Sequence, residues 1–159
     1  MITEPETLVT QDMVERKDRW SEPRVSPPVS LSDIKKWALA VYWPETPPRL
    51  FWDEEYAKTT HYGEIIAPLE FNPFAWPVHR PPPSPHGADP GTRSMNGGQV
   101  LEYLAPIRPG DVISSTMALV DWSERQTRLG LTLFRISETR WTNQKGELVK
   151  VSKNTSIRY

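Results

Sequence analysis

Met95-Asn96-Gly97-Gly98-Gln99-Val100-Leu101-Glu102-Tyr103-Leu104-Ala105-Pro106-Ile107-Arg108-Pro109-Gly110-Asp111 divides the chain into halves of unlike character. Upstream, the sequence is Pro-rich, irregular and partly helical. Downstream, it reads as successive β-strands. Gly97-Gly98 lets the backbone turn or approach another segment closely, because neither residue has a Cβ. Arg108-Pro109-Gly110-Asp111 is a turn. Between them lies a strand with Val100, Glu102 and Leu104 on one face and Leu101, Tyr103 and Ala105 on the other.

Downstream, Asp111 to Trp122 reads as a strand, Ser123 to Gln126 as a turn, and Thr127 to Trp141 as a long strand carrying Leu129, Leu131, Leu133 and Ile136. Thr142 to Gly146 forms a second turn and Glu147 to Tyr159 the last strand. Long strands joined by short turns predict an antiparallel sheet. With a helical section before them, they predict an α+β fold.

Upstream, Val29 to Trp43 is the best helix. Ser30 caps it, Asp33 completes a capping-box pattern, and Leu31, Ile34, Trp37, Ala38, Val41 and Tyr42 form one apolar face, with Lys35 and Lys36 toward water. Pro44 ends it. Asp53 is the N-cap of a second, short helix. Residues 1–28 form a polar arm, with a short helix beginning near Asp12 and Trp20 pinning it to the domain. The domain itself is assigned to residues 29–159. From Pro73 to Pro90 the chain holds seven prolines in eighteen residues, which excludes a regular helix or central strand. A segment of that kind is either a floppy loop or an ordered lid whose aromatics line a pocket.

Composition sets further bounds. The 159 residues suit one domain, and 19 basic against 20 acidic residues give a net charge of -1. That balance argues against a dedicated nucleic-acid binder. The chain has no cysteine, which excludes disulfides, thiol catalysis and Cys-based metal sites and suits the cytoplasm. No apolar run is long enough to span a membrane, and the acidic N-terminus is no signal peptide. Three scattered histidines without ligand spacing predict no metal site, and no cofactor is expected.

In this setting the chain resembles the N-terminal MaoC-like dehydratase family, the fatty-acid-synthase-type dehydratase domains with the hotdog fold. The resemblance runs from about Val29 to Tyr159. It rests on Phe51-Trp52-Asp53-Glu54-Glu55-Tyr56-Ala57, Tyr62-Gly63-Glu64-Ile65-Ile66-Ala67-Pro68, Asn96-Gly97-Gly98, Pro106-Ile107-Arg108-Pro109-Gly110-Asp111 and the segment Trp141 to Val149, in that order and spacing. It implies a single hotdog, with an antiparallel sheet wrapped around a central helix and the Pro-rich loop interrupting the helical region. It also implies pairing of two hotdogs, and acyl thioesters on coenzyme A or acyl carrier protein that gain or lose water across C2 and C3.

That chemistry needs a base to activate water, an acid to protonate C2 and N–H donors at the thioester oxygen. Catalytic members supply an Asp and a His in Asp-x-Asn-Pro-(Leu/Ile)-His. Aligned on Asp53 and Ala57, this chain places Phe51 at the His, Leu50 at Leu/Ile, Arg49 at Pro, Pro48 at Asn and Thr46 at Asp. Phe cannot transfer a proton, and Thr46 is no base at neutral pH. Glu45 stands one residue away. The glycine of the oxyanion hole aligns to Leu69. The pattern matches the non-catalytic half of two-hotdog hydratases, which opens a wider crevice for a long or bulky acyl group such as a steroid side chain. The expected partner is a separate catalytic MaoC-type subunit. The expected acyl-binding residues are Phe71, Phe74, Trp76, Asn96, Gly97 and Gly98, with no catalytic residue and only Glu45 and His61 as weak candidates.

Two other classes stay open: a self-sufficient homodimeric hydratase or thioesterase using Glu45, His61 or Asp53, and a non-enzymatic acyl-CoA-binding hotdog. The remaining candidates have plainer readings. His61 fits a loop or capping histidine, and His79 and His86 surface loop histidines. Asp111 fits a turn residue at the start of a strand. Asp121 and Glu124 fit solvated residues beside a hairpin, and Trp122 and Trp141 core or interface residues. Asn96 fits a bond to a partner backbone or to a ligand. Arg80, Arg93 and Arg108 fit solvent-exposed residues, with coenzyme A phosphates as the alternative. A lone hotdog sheet leaves an edge open, so the working state is expected not to be a monomer.

Overall fold

The computed structural model describes residues 7–75 and 93–159. Three helices, α1 (Gln11–Arg16), α2 (Leu31–Tyr42) and α3 (Glu54–Lys58), accompany five strands. These are β1 (Arg24–Val25), β2 (Ser94–Tyr103), β3 (Ser114–Thr127), β4 (Gly130–Thr142) and β5 (Leu148–Arg158). They form one antiparallel sheet in the order β1-β3-β4-β5-β2, an α+β arrangement.

The local chemistry of α2 follows its sequence. Ser30 Oγ accepts from the Asp33 N–H at 3.1 Å, so the helix starts where the capping residue stands. Ile34 and Ala38 are buried, with Leu31 and Trp37 partly so. Val41, expected on the apolar face, is exposed instead, because only the first three turns reach the core. Lys35, expected to face water, reaches Glu54 of α3 at 2.9 Å.

The β3–β4 turn lies further along than expected. Ser123 to Gln126 continue β3, and the chain reverses at Arg128-Leu129, just before Gly130 with φ +90°. The polar run stays extended because its side chains find partners across the ribbon. Arg125 lies 4.4 Å from the Phe134 ring, and the Thr127 and Thr132 hydroxyls meet at 2.8 Å. Glu124, expected in water, accepts from the Thr7 hydroxyl and the Leu8 N–H. At the other end β3 begins at Ser114 rather than Asp111, since Asp111 is buried and its carboxylate holds the Arg108 N–H and the Gln144 amide.

Much of the arm is bonded along the sheet edge while its side chains stay largely exposed. The Asp18, Ser21 and Ser26 N–H groups donate to the Leu119, Met117 and Ile113 carbonyls, so the segment follows the outer edge of β3. The Arg140 guanidinium lies 4.2 Å from the ring of Trp20, the residue expected to pin it.

The core gathers at one end of the sheet, where β2 and β4 finish and β3 and β5 begin. Ile34 packs there with Ile65, Ala67, Phe71, Ile107, Ile113 and Val149. Ile34 and Ile113 are fully buried, each worth about 1.5–3 kcal/mol of transfer free energy. The sheet face that bears Trp141 is different along its length. In register with it run Thr139, Ser137 and Arg135 on β4 and Lys150, Ser152 and Asn154 on β5. Gln99 of β2 donates to the Ser152 hydroxyl at 2.8 Å, placing β2's contribution on the same face.

Candidate functional site

The segment Tyr62 to Phe71 and the end of β2 meet over Trp141 and Lys150. They enclose a cleft of about 110 Å³ lined by Tyr62, Ala67, Leu69, Tyr103, Trp141 and Lys150. Backbone pairing fixes its walls: the Ala67 N–H donates to the Ile107 carbonyl at 2.8 Å, and the Leu104 N–H to Val149 at 2.9 Å. Leu69, at the oxyanion-hole position of the family pattern, is exposed in this cleft.

Tyr103, Lys150 and Trp141 are register partners on three adjacent strands, so their side chains stand in one row. The Lys150 Nζ lies 4.2 Å from the Trp141 ring and 5.6 Å from the Tyr103 ring. Burial pulls the lysine below its ordinary range, and the Glu70 charge opposes that shift. Burial, with the Glu70 charge adding to it, pushes the Tyr103 phenol up. The cleft therefore pairs an apolar wall with one cationic donor and one neutral hydroxyl. Neither residue was singled out from the sequence. The available signal was their alternation positions at the end of β2 and the start of β5, which show as neighbours only once the register is known.

Phe71 is buried in the core with its ring 5.6 Å from Trp37, and Phe74 stacks edge-on 5.4 Å from Trp141, beside the cleft. Asn96, Gly97 and Gly98 sit toward the opposite end of β2, across from Ser156 and Thr155. There the strand bulges. A Cβ on Gly97 would come within 2.8 Å of Ile157, Gly98 has φ +126°, and Asn96 Oδ1 accepts from the Gly98 N–H. So the glycine pair does serve a close approach and a left-handed turn. It lies away from Phe74. Trp76, His79, Arg80, His86 and most of the Pro-rich loop lie outside the described residues.

The segment aligned to the family's acid–base motif is ordered around Phe51 and Asp53. Phe51 closes a single 3₁₀ turn, Arg49–Phe51, with its ring 6.0 Å from Tyr42. Asp53 caps α3 through the Tyr56 N–H and pairs with Arg49 at 2.7 Å. These bonds hold its carboxyl below the usual range, the cap bond first and Arg49 second. Glu45 and His61 are both exposed, the latter with its ring 3.8 Å from Tyr62. Arg108 is engaged by Glu64 at 2.7 Å and the Tyr62 carbonyl at 3.0 Å rather than presented to solvent. Among the described residues no group of three or more His, Asp or Glu is placed to hold a metal ion, and no helix is long and apolar enough to cross a membrane.

An antiparallel five-stranded sheet of this order is the hotdog fold shared with the solved structures it resembles. The chain belongs to the family described as FAS1-like, dehydratase domain region, whose model matches residues 19–151. No curated protein sequence matches it. Among solved structures it is similar to the ChsH1-ChsH2 complex from Mycobacterium tuberculosis, with 21% identity over 92% of this chain and 93% of that one and a TM-score of 0.70. The MaoC-like dehydratase from Rhodospirillum rubrum is 19% identical over 87% and 90%, with a TM-score of 0.60. The HadBC (3R-hydroxyacyl-ACP dehydratase) complex from Mycobacterium tuberculosis is 19% identical over 89% and 96%, with a TM-score of 0.57.

Proposed function

We propose that this chain is the non-catalytic, pocket-forming subunit of a heteromeric enoyl-thioester hydratase or dehydratase, pairing through its 29–159 hotdog unit with a catalytic MaoC-type subunit. The observation that carries the reading is Phe51. At the place where the family pattern needs a proton-transferring His, an aromatic hydrocarbon packs on Tyr42. Glu45 and His61 are exposed, and among the described residues neither side chain bonds to a second acid or base.

The cleft at Leu69 supports a binding role. It has the exposed Leu69 at the oxyanion position and an aromatic wall of Trp141 and Tyr103. Phe74 extends that wall toward the acyl group, with Phe71 as its support and the Asn96-Gly97-Gly98 bulge at the far end of the strand that bears Tyr103; Trp76, outside the described residues, is assigned to acyl binding from the sequence alone. The ligand in this reading is an acyl thioester of coenzyme A or acyl carrier protein, and the setting is the cytoplasm. Partnering is supported by β2, a ten-residue strand exposed almost throughout, with Val100 at 68% of full exposure. Its outer edge has no strand beside it among the described residues, and two of the similar structures are complexes of named subunits.

The test is co-expression with a MaoC-type subunit that retains Asp-x-Asn-Pro-x-His, followed by sizing and enoyl-CoA hydration assays. Activity on a bulky enoyl-CoA only in the stoichiometric complex is the expected result. Hydration at an ordinary enzyme rate by this chain alone overturns it and directs attention to Glu45 and His61.

A further inference from the structure

The Leu69 cleft holds one nucleophilic side chain, Lys150. Its Nζ lies between two rings, 4.2 Å from Trp141 and 5.6 Å from Tyr103. The backbone beneath it pairs with Trp141 on one side and Tyr103 on the other, so the row is fixed by the sheet.

Other lysines are placed differently. Lys35, Lys58 and Lys153 pair with Glu54, Glu55 and Glu138 at 2.9, 2.8 and 3.6 Å. Lys36 and Lys145 are exposed. Lys150 is half-buried and, among the described residues, makes no ion pair. The titratable groups that bear on it are Tyr103 on the neighbouring strand and the exposed Glu70, whose charge acts from beyond ion-pair distance.

An ammonium that loses water and gains no counter-charge is less stable than in solution, so a larger share of it is the neutral amine. Burial lowers the basicity of Lys150, and Glu70 offsets part of that. Attraction of the ammonium to the rings offsets a further part. The rings also have a geometric effect: they confine the side chain to the cleft, where a lysine on an open strand would reach out to water.

The exposed Leu69, at the oxyanion position of the family pattern, lines the same cleft. A thioester whose oxygen meets the main chain there has its carbonyl carbon and the Lys150 amine within one volume of about 110 Å³. Confinement of two reactants in one small volume accelerates a step that is slow in solution. Transfer of an acyl group from sulfur to nitrogen is downhill, because amide resonance is the stronger.

We propose that Lys150 is a self-acylation site, whose Nζ takes the acyl group of a thioester bound in the Leu69 cleft. The nitrogen lone pair attacks the carbonyl carbon, the N–C bond forms and the C–S bond breaks. The proton lost from nitrogen ends on the departing thiolate. The products are an uncharged amide at Lys150 and a free carrier thiol, with no change in oxidation state. The acyl group then stays in the cleft and closes it to further thioester. The thioester as donor rests on the function proposed above; the unpaired amine in the cleft does not.

The experiment treats the full chain with octanoyl-CoA and, in parallel, with acetic anhydride, which acylates amines without a binding site. Peptide mass spectrometry then follows each lysine. Expected is octanoylation of Lys150 about tenfold or more faster than of Lys36 or Lys145. S-octyl-coenzyme A, a thioether that fills the cleft and cannot transfer its chain, should suppress it. Lys150→Arg should remove the fast reaction and leave the slow labelling of Lys36 and Lys145 as it was. Octanoylation rates within about twofold of one another at the three lysines overturn the proposal, as does labelling of Lys150 that ignores the thioether. Selectivity for Lys150 with the anhydride but not with octanoyl-CoA overturns it too, and assigns the failure to the thioester donor rather than to the amine. No catalytic subunit is present in these reactions. A chain that hydrates enoyl-CoA alone would still acquire the amide, so failure here and failure of the subunit assignment are read separately.

Discussion

The two ends of one sheet have been put to different uses. Where β2 and β4 finish, Ile34, Ile113, Val149 and Phe71 leave almost no accessible surface. Along the rest of the Trp141 face, Ser152 and Ser137 are only half-covered, and Asn154 and Gln99 are exposed. A packed interior stabilises by transfer and dispersion, whereas a half-open polar face contributes little beyond its ladder hydrogen bonds. The difference teaches that the cluster around Ile34 and Ile113 carries most of the packed interior, with Leu133 a separate fully buried point at the far end and a polar, half-open stretch between them.

The largest effect should come from the packed end. Ile34→Ala and Ile113→Ala should each lose about 3 kcal/mol in urea denaturation, from lost transfer plus a residual cavity. A loss under about 1 kcal/mol would mean that the core is not concentrated there. Next comes Asp111→Ala, which strands the Arg108 N–H and frees Gln144, at a cost of about 2 kcal/mol by the same measurement. Ser30→Ala removes the α2 cap and should lose about 1 kcal/mol, a fall of about 2–4 °C in melting temperature for a chain of this size. On the open face, Ser152→Ala should stay within about 0.5 kcal/mol. A cost as large as that of Asp111→Ala would erase the contrast between the two ends.

The smallest effect is a pH slope. Lys150 is held below its ordinary 10.5, so the unfolded chain binds more protons as pH approaches that value from below. The native state is penalised while the amine is charged, and the penalty fades as pH rises through the lowered value toward 10.5. Tyr103, raised above 10.0, acts in the opposite sense above that pH. Lys150→Met removes only the first contribution. The stability difference, parent minus variant, should therefore rise from neutral pH toward 10.5 in a series of denaturation curves. A flat difference would show that Lys150 is fully solvated.

The sheet was legible because alternation and turn chemistry leave direct marks. Gly146 sits in its expected turn with φ +80°, and Gly97-Gly98 form the expected close approach. The Ser123–Gln126 turn was misplaced because a charged run in a two-stranded ribbon has the same composition as a loop; the contact between Arg125 and Phe134 that keeps it extended lies nine residues away around a hairpin whose place was the unknown. Phe51 stands at the family's His position only by virtue of the resemblance, and the structure adds that its ring lies 6.0 Å from Tyr42. Lys150 and Tyr103 were not legible, because they come together through pairing of segments more than forty residues apart.

The arm has one more consequence. By bonding along β3 from Asp18 to Ser26, it occupies one margin of the sheet and finishes in a two-residue strand. Growth by strand addition then has a single direction, off β2. Two such units joined margin to margin would have no further long strand to offer, so the assembly terminates at a pair where a doubly open sheet would propagate into a fibre.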